Sequence, residues 1–297
     1  MKKLIAMILA VVMVLAMASA VPAAKAEDAT YTIGICQLVQ HAALDAATEG
    51  FMAALTEKLG DSVTFDLQNA QGEPTTCSTI VTGFVANEYD LIMANATPAL
   101  LAAVSATDTI PILGTSVTDY ATALAIDDMD AAVGTGINVS GTSDGVPAQL
   151  YADTLMELIP EAKKVSIVYC SAEPNSVLQA DQFVACMDAI GVKTTVYTFT
   201  DSNDIQAVVT AAIEDADAMY IPTDNTAASN MTIVTNICAP AGIPIICGEE
   251  GMCGAGGLAT VSISYYDIGY VCGEMAYDIL VNGADVSAMP IGYAASP

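Results

Sequence analysis

A repeated strand-helix pattern constrains this chain more than any other feature. From Tyr31 onward, short β-rich apolar runs alternate with helical segments: "YTIGICQLV", "ALDAATEGFMAALTEKLG", "VTFDLQNA", "TTCSTIVTGFVANE", "YDLIMANA", "TPALLAAVSATD" and "IPILGTSV". The order then returns: "KKVSIVYC", "NSVLQADQFVACMDAIG", "KTTVYTFT", "SNDIQAVVTAAIED", "ADAMYIP", "TDNTAASNMTIVTNICAPAG" and "IPIICGEE". Such alternation specifies a parallel sheet covered by helices on both faces. The halves align segment on segment, with "DLIMANATPA" (Asp90–Ala99) on "DAMYIPTDNT" (Asp217–Thr226), as an internal duplication does.

The predicted fold class is α/β: two Rossmann-like lobes with parallel sheets flanked by helices. "GINVSGTSDGVPAQLYADTLMELIPEA" crosses from the first lobe to the second, and "GGLATVSISYYDIGYVCGEMAYDILVNG" crosses back, so a hinge joins the lobes. The crossings predict lobe one over 27–143 plus about 262–283, and lobe two over 144–261 plus about 284–297.

Residues 1–26 read as a secretory signal peptide. Lys2 and Lys3 precede the apolar run Leu4–Ala20, and "ASA" and "AKA" fit a small-x-small cleavage rule. The protein is expected to be exported, either periplasmic or at the cell surface or secreted. No cysteine precedes Cys36, so the lipid-anchored cysteine of surface lipoproteins is missing. Eight cysteines without a CxxC pair, set within strand and helix runs, read as mostly free, buried thiols.

Charge narrows the ligand. The chain has 34 acidic and 7 basic residues, a net charge of −27 at pH 7, and no arginine. Such a surface repels nucleic acid and anionic lipid. It also offers no guanidinium fork to a carboxylate or phosphate. Anionic ligand groups must be held by backbone N–H groups, hydroxyls or a helix N-terminus. His41 is the one histidine, so no histidine cluster for a metal exists, and "GAGGLA" lacks the spacing of a nucleotide loop. No metal or cofactor is expected.

Ligands of open parallel sheets bind outside the C-terminal strand ends. Lobe one presents Gln40, His41, Asn95, Thr97, Thr115, Ser116, Thr118 and Asp119 there. Lobe two presents Glu173, Asn175, Ser176, Thr223, Asp224, Asn225, Glu249 and Glu250. Hydroxyls at helix starts suit a carboxylate, and acids suit an ammonium, so a zwitterion bridged between the lobes fits both lists. Glu249 and Glu250 are adjacent, so at most one faces the cleft; Glu250 is taken as the site residue. Each polar residue also has a plain structural use: Asp224 or Asn225 caps the helix that follows, and Thr97 with Pro98 opens one.

The motifs "QLVQHAALDAATEGF", "NAQGE", "ANATPA", "TSVTD", "GTSD", the pair Asn175–Ser176, "IPTDNTAAS" and "ISYYDIGYVCGEMAYDIL" run in order along nearly all the mature chain. In them the chain resembles substrate-binding proteins of ABC transporters of the tryptophan/tyrosine type. The resemblance implies a type I periplasmic-binding-protein fold that captures an aromatic or other hydrophobic amino acid by hinge closure. It also implies delivery to a membrane permease with a cytoplasmic ATPase, and a monomer is expected. On this reading Thr97 and Ser116 take the carboxylate, Asp224 takes the ammonium, and Tyr120, Tyr265 and Tyr266 are placed to flank an apolar side chain. The chain departs from the family where Gln40-His41-Ala42 replaces a frequent Glu-His-Pro, and where Glu249-Glu250 replaces an aspartate or small residue. It also stops at "IGYAASP", before the further strand and helix the family carries, so a shortened C-terminus is expected.

Two alternatives compete. A ligand-sensing module for a membrane receptor would share the fold. A racemase-like enzyme would need a cysteine in each facing loop; Asp224 stands before Asn225 instead, and Ala96 follows Asn95. Thiolate activation also wants nearby positive charge, which this chain lacks. The chain is therefore read as a binding protein and not an enzyme.

Overall fold

Parallel pairing builds two five-stranded sheets from this chain in the computed structural model, which describes residues 29–294. The predicted signal peptide lies outside the described residues. The first sheet contains β1 (Tyr31–Gln37), β2 (Val63–Asn69), β3 (Leu91–Asn95), β4 (Ile112–Val117) and β5 (Val139–Ser143), in the order β2-β1-β3-β4-β5. The second contains β6 (Lys164–Cys170), β7 (Lys193–Phe199), β8 (Ala218–Ile221), β9 (Ile245–Cys247) and β10 (Ala259–Thr260), in the order β10-β9-β8-β6-β7. Each first-sheet strand has a second-sheet counterpart at the same place, so the duplication read from sequence is a duplication of topology. Central strands such as β3 and β4 are buried along their whole length, whereas β2 and β7, at the edges, are partly exposed. That difference is why their sequences mix polar with apolar residues.

Helices cover both sheets. In lobe one they are α1 (Ala42–Leu59), α2 (Pro74–Ala86), α3 (Thr97–Ala106) and the short α4 (Tyr120–Leu124). In lobe two they are α5 (Ala148–Leu158), α6 (Pro174–Ala189), α7 (Ile205–Ala212), α8 (Asn225–Ser229), α9 (Met231–Ala241) and α10 (Glu250–Gly254). The single helix predicted after β8 is broken at Asn230, whose φ of −119° and ψ of 16° leave the helical region.

The chain crosses between lobes at 144–147 and again at 261–264, where α11 (Tyr265–Leu280) returns to lobe one. There α11 packs on α1 through glycines. A Cβ on Gly269 would lie 2.0 Å from the Ala47 carbonyl oxygen, and one on Gly50 would lie 2.1 Å from that of Tyr266. The segment after α11 does not join lobe two as predicted. Gly292 pairs with Thr142 beside β5, donating its N–H to Gly141 O (2.8 Å) while its carbonyl accepts from Ser143 N (2.9 Å). Backbone groups of an edge strand need partners, and this segment supplies them to β5. The eight cysteines are free, and six of them are buried. No helix among the described residues is long and apolar enough to cross a membrane.

Candidate functional site

The C-terminal strand ends of both sheets face one another, and the polar residues there pack into a single cleft. On the lobe-one side a buried bracket sets the geometry. Asn95 Nδ2 donates to Leu44 O (2.8 Å) and Thr48 Oγ1 (2.9 Å), and Thr48 Oγ1 donates to Gln37 Oε1 (2.7 Å). This bracket ties the start of α1, and with it His41, to the ends of β1 and β3. Ser116 is turned inward by a register shift between β4 and β5 and by a φ of +54°, in the left-handed region that costs a non-glycine residue.

On the lobe-two side Glu173 organises the loop. Its carboxylate accepts from Asn225 N (3.0 Å), Asn225 Nδ2 (2.6 Å), Thr226 N (2.8 Å) and Thr226 Oγ1 (2.8 Å). Asp224 caps α8 by accepting from Ala227 N (2.7 Å) and also accepts from Cys170 N (2.7 Å). Burial, then the nearby Glu173 charge, pushes the Asp224 carboxyl up to about 8. Gln179 holds Thr223 at both its N–H and its hydroxyl.

A central cavity of about 10 Å³ lies between the lobes. Lobe one and the crossings give it His41, Leu44, Ser116, Asp144 and Tyr265; lobe two gives Asn175, Thr223, Asp224, Asn225, Ala228 and Glu249. At that volume it holds about one water, so the lobes are closed upon it. His41 Nε2 and Asn225 Oδ1 meet at 3.1 Å across the cleft. Buried polar side-chain atoms without a hydrogen-bond partner include His41 Nδ1, Ser116 Oγ, Asp144 Oδ1 and Asn175 Oδ1, and all four residues line this one cavity. Buried polar groups are almost always paired, so four residues with an unpartnered atom around one cavity make it the candidate site.

Asp144, in the crossing itself, was not among the residues singled out from sequence. It is 3% exposed, and Tyr265 donates its hydroxyl to Asp144 Oδ2 (2.8 Å). Burial pushes its carboxyl up, and the Tyr265 hydrogen bond opposes that. The Tyr265 hydroxyl is raised well above its usual range by burial and the Asp144 charge, so it stays protonated and donates. Burial lowers the His41 imidazole, favouring its neutral form.

Other sequence expectations fall elsewhere. Glu250 is exposed; its neighbour Glu249 is the buried one, capping α10 by accepting from Met252 N (2.7 Å) and Gly251 N, with its carboxyl pushed up by burial. Gln40 is exposed and lines neither the central cavity nor the larger one on the other face of α8. Thr97 and Asp119 are brought together with Asn175, but in a separate small gap between α3 and α6. Thr118 stands beside Asp144, and its carbonyl accepts from Ser143 Oγ (3.1 Å). Ser176 is buried beside Asp224, behind the cavity wall. Of the three tyrosines expected to flank a side chain, Tyr120 is buried under β4 with its hydroxyl on Thr142 O (3.2 Å). Tyr266 is 39% exposed and stacks on Tyr270, so only Tyr265 reaches the cavity.

A second cavity of about 280 Å³ opens on the other face of α8. It is walled by Leu38, Val39, Pro74 and Pro98 from lobe one and by Cys170, Glu173 and Asp201 from lobe two. No unpartnered buried side-chain atom among the described residues lines it. It offers room, whereas the central cavity offers the polar groups.

The site can be set beside known proteins. A "Tyrosine-binding protein" of Clostridioides difficile (strain R20291) is 36% identical over 262 residues, covering 87% of this chain and 75% of that protein. A Streptococcus pneumoniae ABC domain in complex with L-Trp superposes with a TM-score of 0.85 at 31% identity, over 90% of each chain. A Clostridium difficile substrate-binding protein in its ligand-free, open form gives 0.64 at 38% identity, over 89% of this chain and 90% of that one. The scores run opposite to the identities, as a difference in lobe closure produces; the lobes here are arranged as in the Trp complex. A leucine-binding protein of Thermotoga maritima, 15% identical with a TM-score of 0.60, shares the fold. Residues 32–297 match the family described as "ABC transporter substrate binding protein", and the chain belongs to that family of extracytoplasmic binding proteins.

Proposed function

We propose that this protein captures an α-amino acid, aromatic or otherwise hydrophobic, between its lobes and delivers it to the permease of an ABC importer. The observation that carries the reading is the convergence of four unpartnered buried polar atoms, from both lobes and the hinge, on one cavity. Asp144 there suits an ammonium and Ser116 a carboxylate; the larger cavity on the other face of α8 adds interlobe space walled by Leu38, Val39, Pro74 and Pro98 together with polar residues such as Glu73, Glu173 and Asp201. Ligand groups touching both lobes stabilise the closed form, and only that differential contact can shift the hinge. The two relatives named for tyrosine and L-Trp support an aromatic amino acid.

Chemistry also speaks against turnover. No cysteine lines the central cavity among the described residues. Cys170, in the adjoining cavity, has its thiol pushed up to about 11 by burial and by Asp224, so it is not a thiolate at neutral pH. An exported monomer, periplasmic or at the cell surface, fits the importer reading. Thermal-shift titration against the twenty amino acids and a sugar panel tests it. Stabilisation by one or a few hydrophobic amino acids is expected. Stabilisation by a sugar and by no amino acid would overturn it.

A further inference from the structure

Two of the eight thiols lie against each other in the core of lobe one. Along β1, Ile33 and Ile35 pack on one side of the sheet, whereas Cys36 and Leu38 pack on the other, under α2. Gly34 shares the face of Cys36. Helix α2 runs back along β1, as the helix of a parallel crossover does, and its Phe84 ring sits on Gly34: a Cβ there would lie 2.4 Å from Phe84 Cδ2. Cys77 stands about two turns earlier on the same face of α2, toward the C-terminal end of β1 where Cys36 lies. Backbone bonds hold that end in register. Ala70 donates its N–H to Gln37 O (2.9 Å), Gly72 to Leu38 O (2.8 Å) and Cys77 to Glu73 O (3.1 Å). Cys36 and Cys77 are both 0% exposed in one hydrophobic cluster, and their thiols are each other's hydrogen-bond partners. That bond pulls the Cys77 thiol below its ordinary value and, together with burial, pushes Cys36 up, so Cys77 ionises first. Five of the other six thiols turn to backbone oxygens or to Met219 Sδ instead.

We propose that Cys36 and Cys77 close a disulfide as the exported chain folds, pinning the end of β1 to the start of α2. Disulfides form and persist outside the reducing cytosol. The oxidant is a soluble disulfide, RSSR. The Cys77 thiolate attacks one of its sulfurs, and the departing thiolate takes up the proton that Cys77 gave up, leaving as RSH. The Cys36 thiolate then attacks the Cys77 sulfur of the mixed disulfide and expels the second RSH. The two protein thiols lose two protons and two electrons, and RSSR gains them. Both sulfurs are sealed from solvent in the finished fold, so the exchange belongs to folding, before α2 covers β1. The bridge closes a loop of about forty residues and thereby restricts the unfolded chain. Leu38 and Pro74, on either side of it, both wall the larger interlobe cavity, so the bridge holds that wall of lobe one together when the lobes part.

The test is refolding of the full mature protein from urea, once with a mixture of oxidised and reduced glutathione and once with dithiothreitol. Free thiols are then alkylated under denaturing conditions, and the peptides are mapped by mass spectrometry without reduction. The expected result after glutathione refolding is a peptide pair joined through Cys36 and Cys77, with the other six cysteines alkylated. The bridged protein is expected to melt about 5 °C or more above the dithiothreitol-refolded one. Cys77→Ala is expected to melt at the same temperature from either buffer. Alkylation of both Cys36 and Cys77 in the glutathione-refolded wild type would overturn the proposal, and so would a bridge from either one to a different cysteine. The wild-type map decides even if the variant fails to fold.

Discussion

Asp144 and Asp224 line the same cavity with opposite hydrogen-bond balances. Both Asp224 oxygens are already taken by backbone N–H groups, whereas Asp144 keeps one oxygen unpaired. The proposed ammonium partner is therefore Asp144, while Asp224, the residue the sequence favoured for that role, fastens α8 to β6. Asp144→Asn keeps an acceptor for Tyr265 but removes the charge. It is expected to weaken amino-acid binding about a hundredfold with little change in melting temperature, as calorimetry and thermal unfolding will read. Asp224→Ala removes a helix cap and leaves the Cys170 N–H unpaired, so a loss of about 2–4 kcal/mol in urea unfolding is expected. The pH dependence follows from the same group. A carboxyl raised to about 8 in the folded chain binds its proton more tightly there than when unfolded. Its contribution to stability is full below the ordinary carboxylate value and is lost as pH rises through about 8. Asp224→Asn, which retains a capping oxygen, should flatten that decline between pH 5 and 8. Asp144 directly follows β5 and ends the motif "GTSD", but it stands where the chain turns into the crossing, and the sequence carries no sign there of a buried acid. Its burial exists only once α11 has brought Tyr265 back against it.

Helix α11 fixes the hinge from behind through its glycine contact with α1. Gly269→Ala would press a methyl onto the Ala47 carbonyl. A destabilisation of about 1–3 kcal/mol or more is expected from overpacking, with weaker ligand binding because Tyr265 opens the same helix. Equilibrium unfolding and titration of that variant read the two effects separately. At this scale the sequence was informative where signals are local: strand runs, helix periodicity and the Thr97-Pro98 start all stand where expected. It was uninformative where a single residue's direction decides. Whether Glu249 or Glu250 turns inward depends on which one caps the five-residue α10, and adjacent identical side chains carry no sign of that. The break at Asn230 was hidden because α8 and α9 share one apolar pattern across it.

Closure is a property of the two lobes together. His41 of lobe one meets Asn225 of lobe two, and α3 meets α6 beside them, so the cleft in this arrangement admits no amino acid without first parting. Small-angle scattering of ligand-free protein is expected to give a larger radius of gyration than the same protein with its amino acid; equal radii would argue against hinge closure. The duplicated order of segments made the two-lobed plan legible from sequence. The placement of the last segment beside β5 was not, since pairing across so long a separation leaves no periodic trace. The most direct measurement is a crystal structure of the protein with its amino acid bound. The expected result is an ammonium nitrogen about 3 Å from Asp144 Oδ1. An ammonium lodged on Asp224, or a ligand lying wholly in the adjoining cavity, would contradict the account.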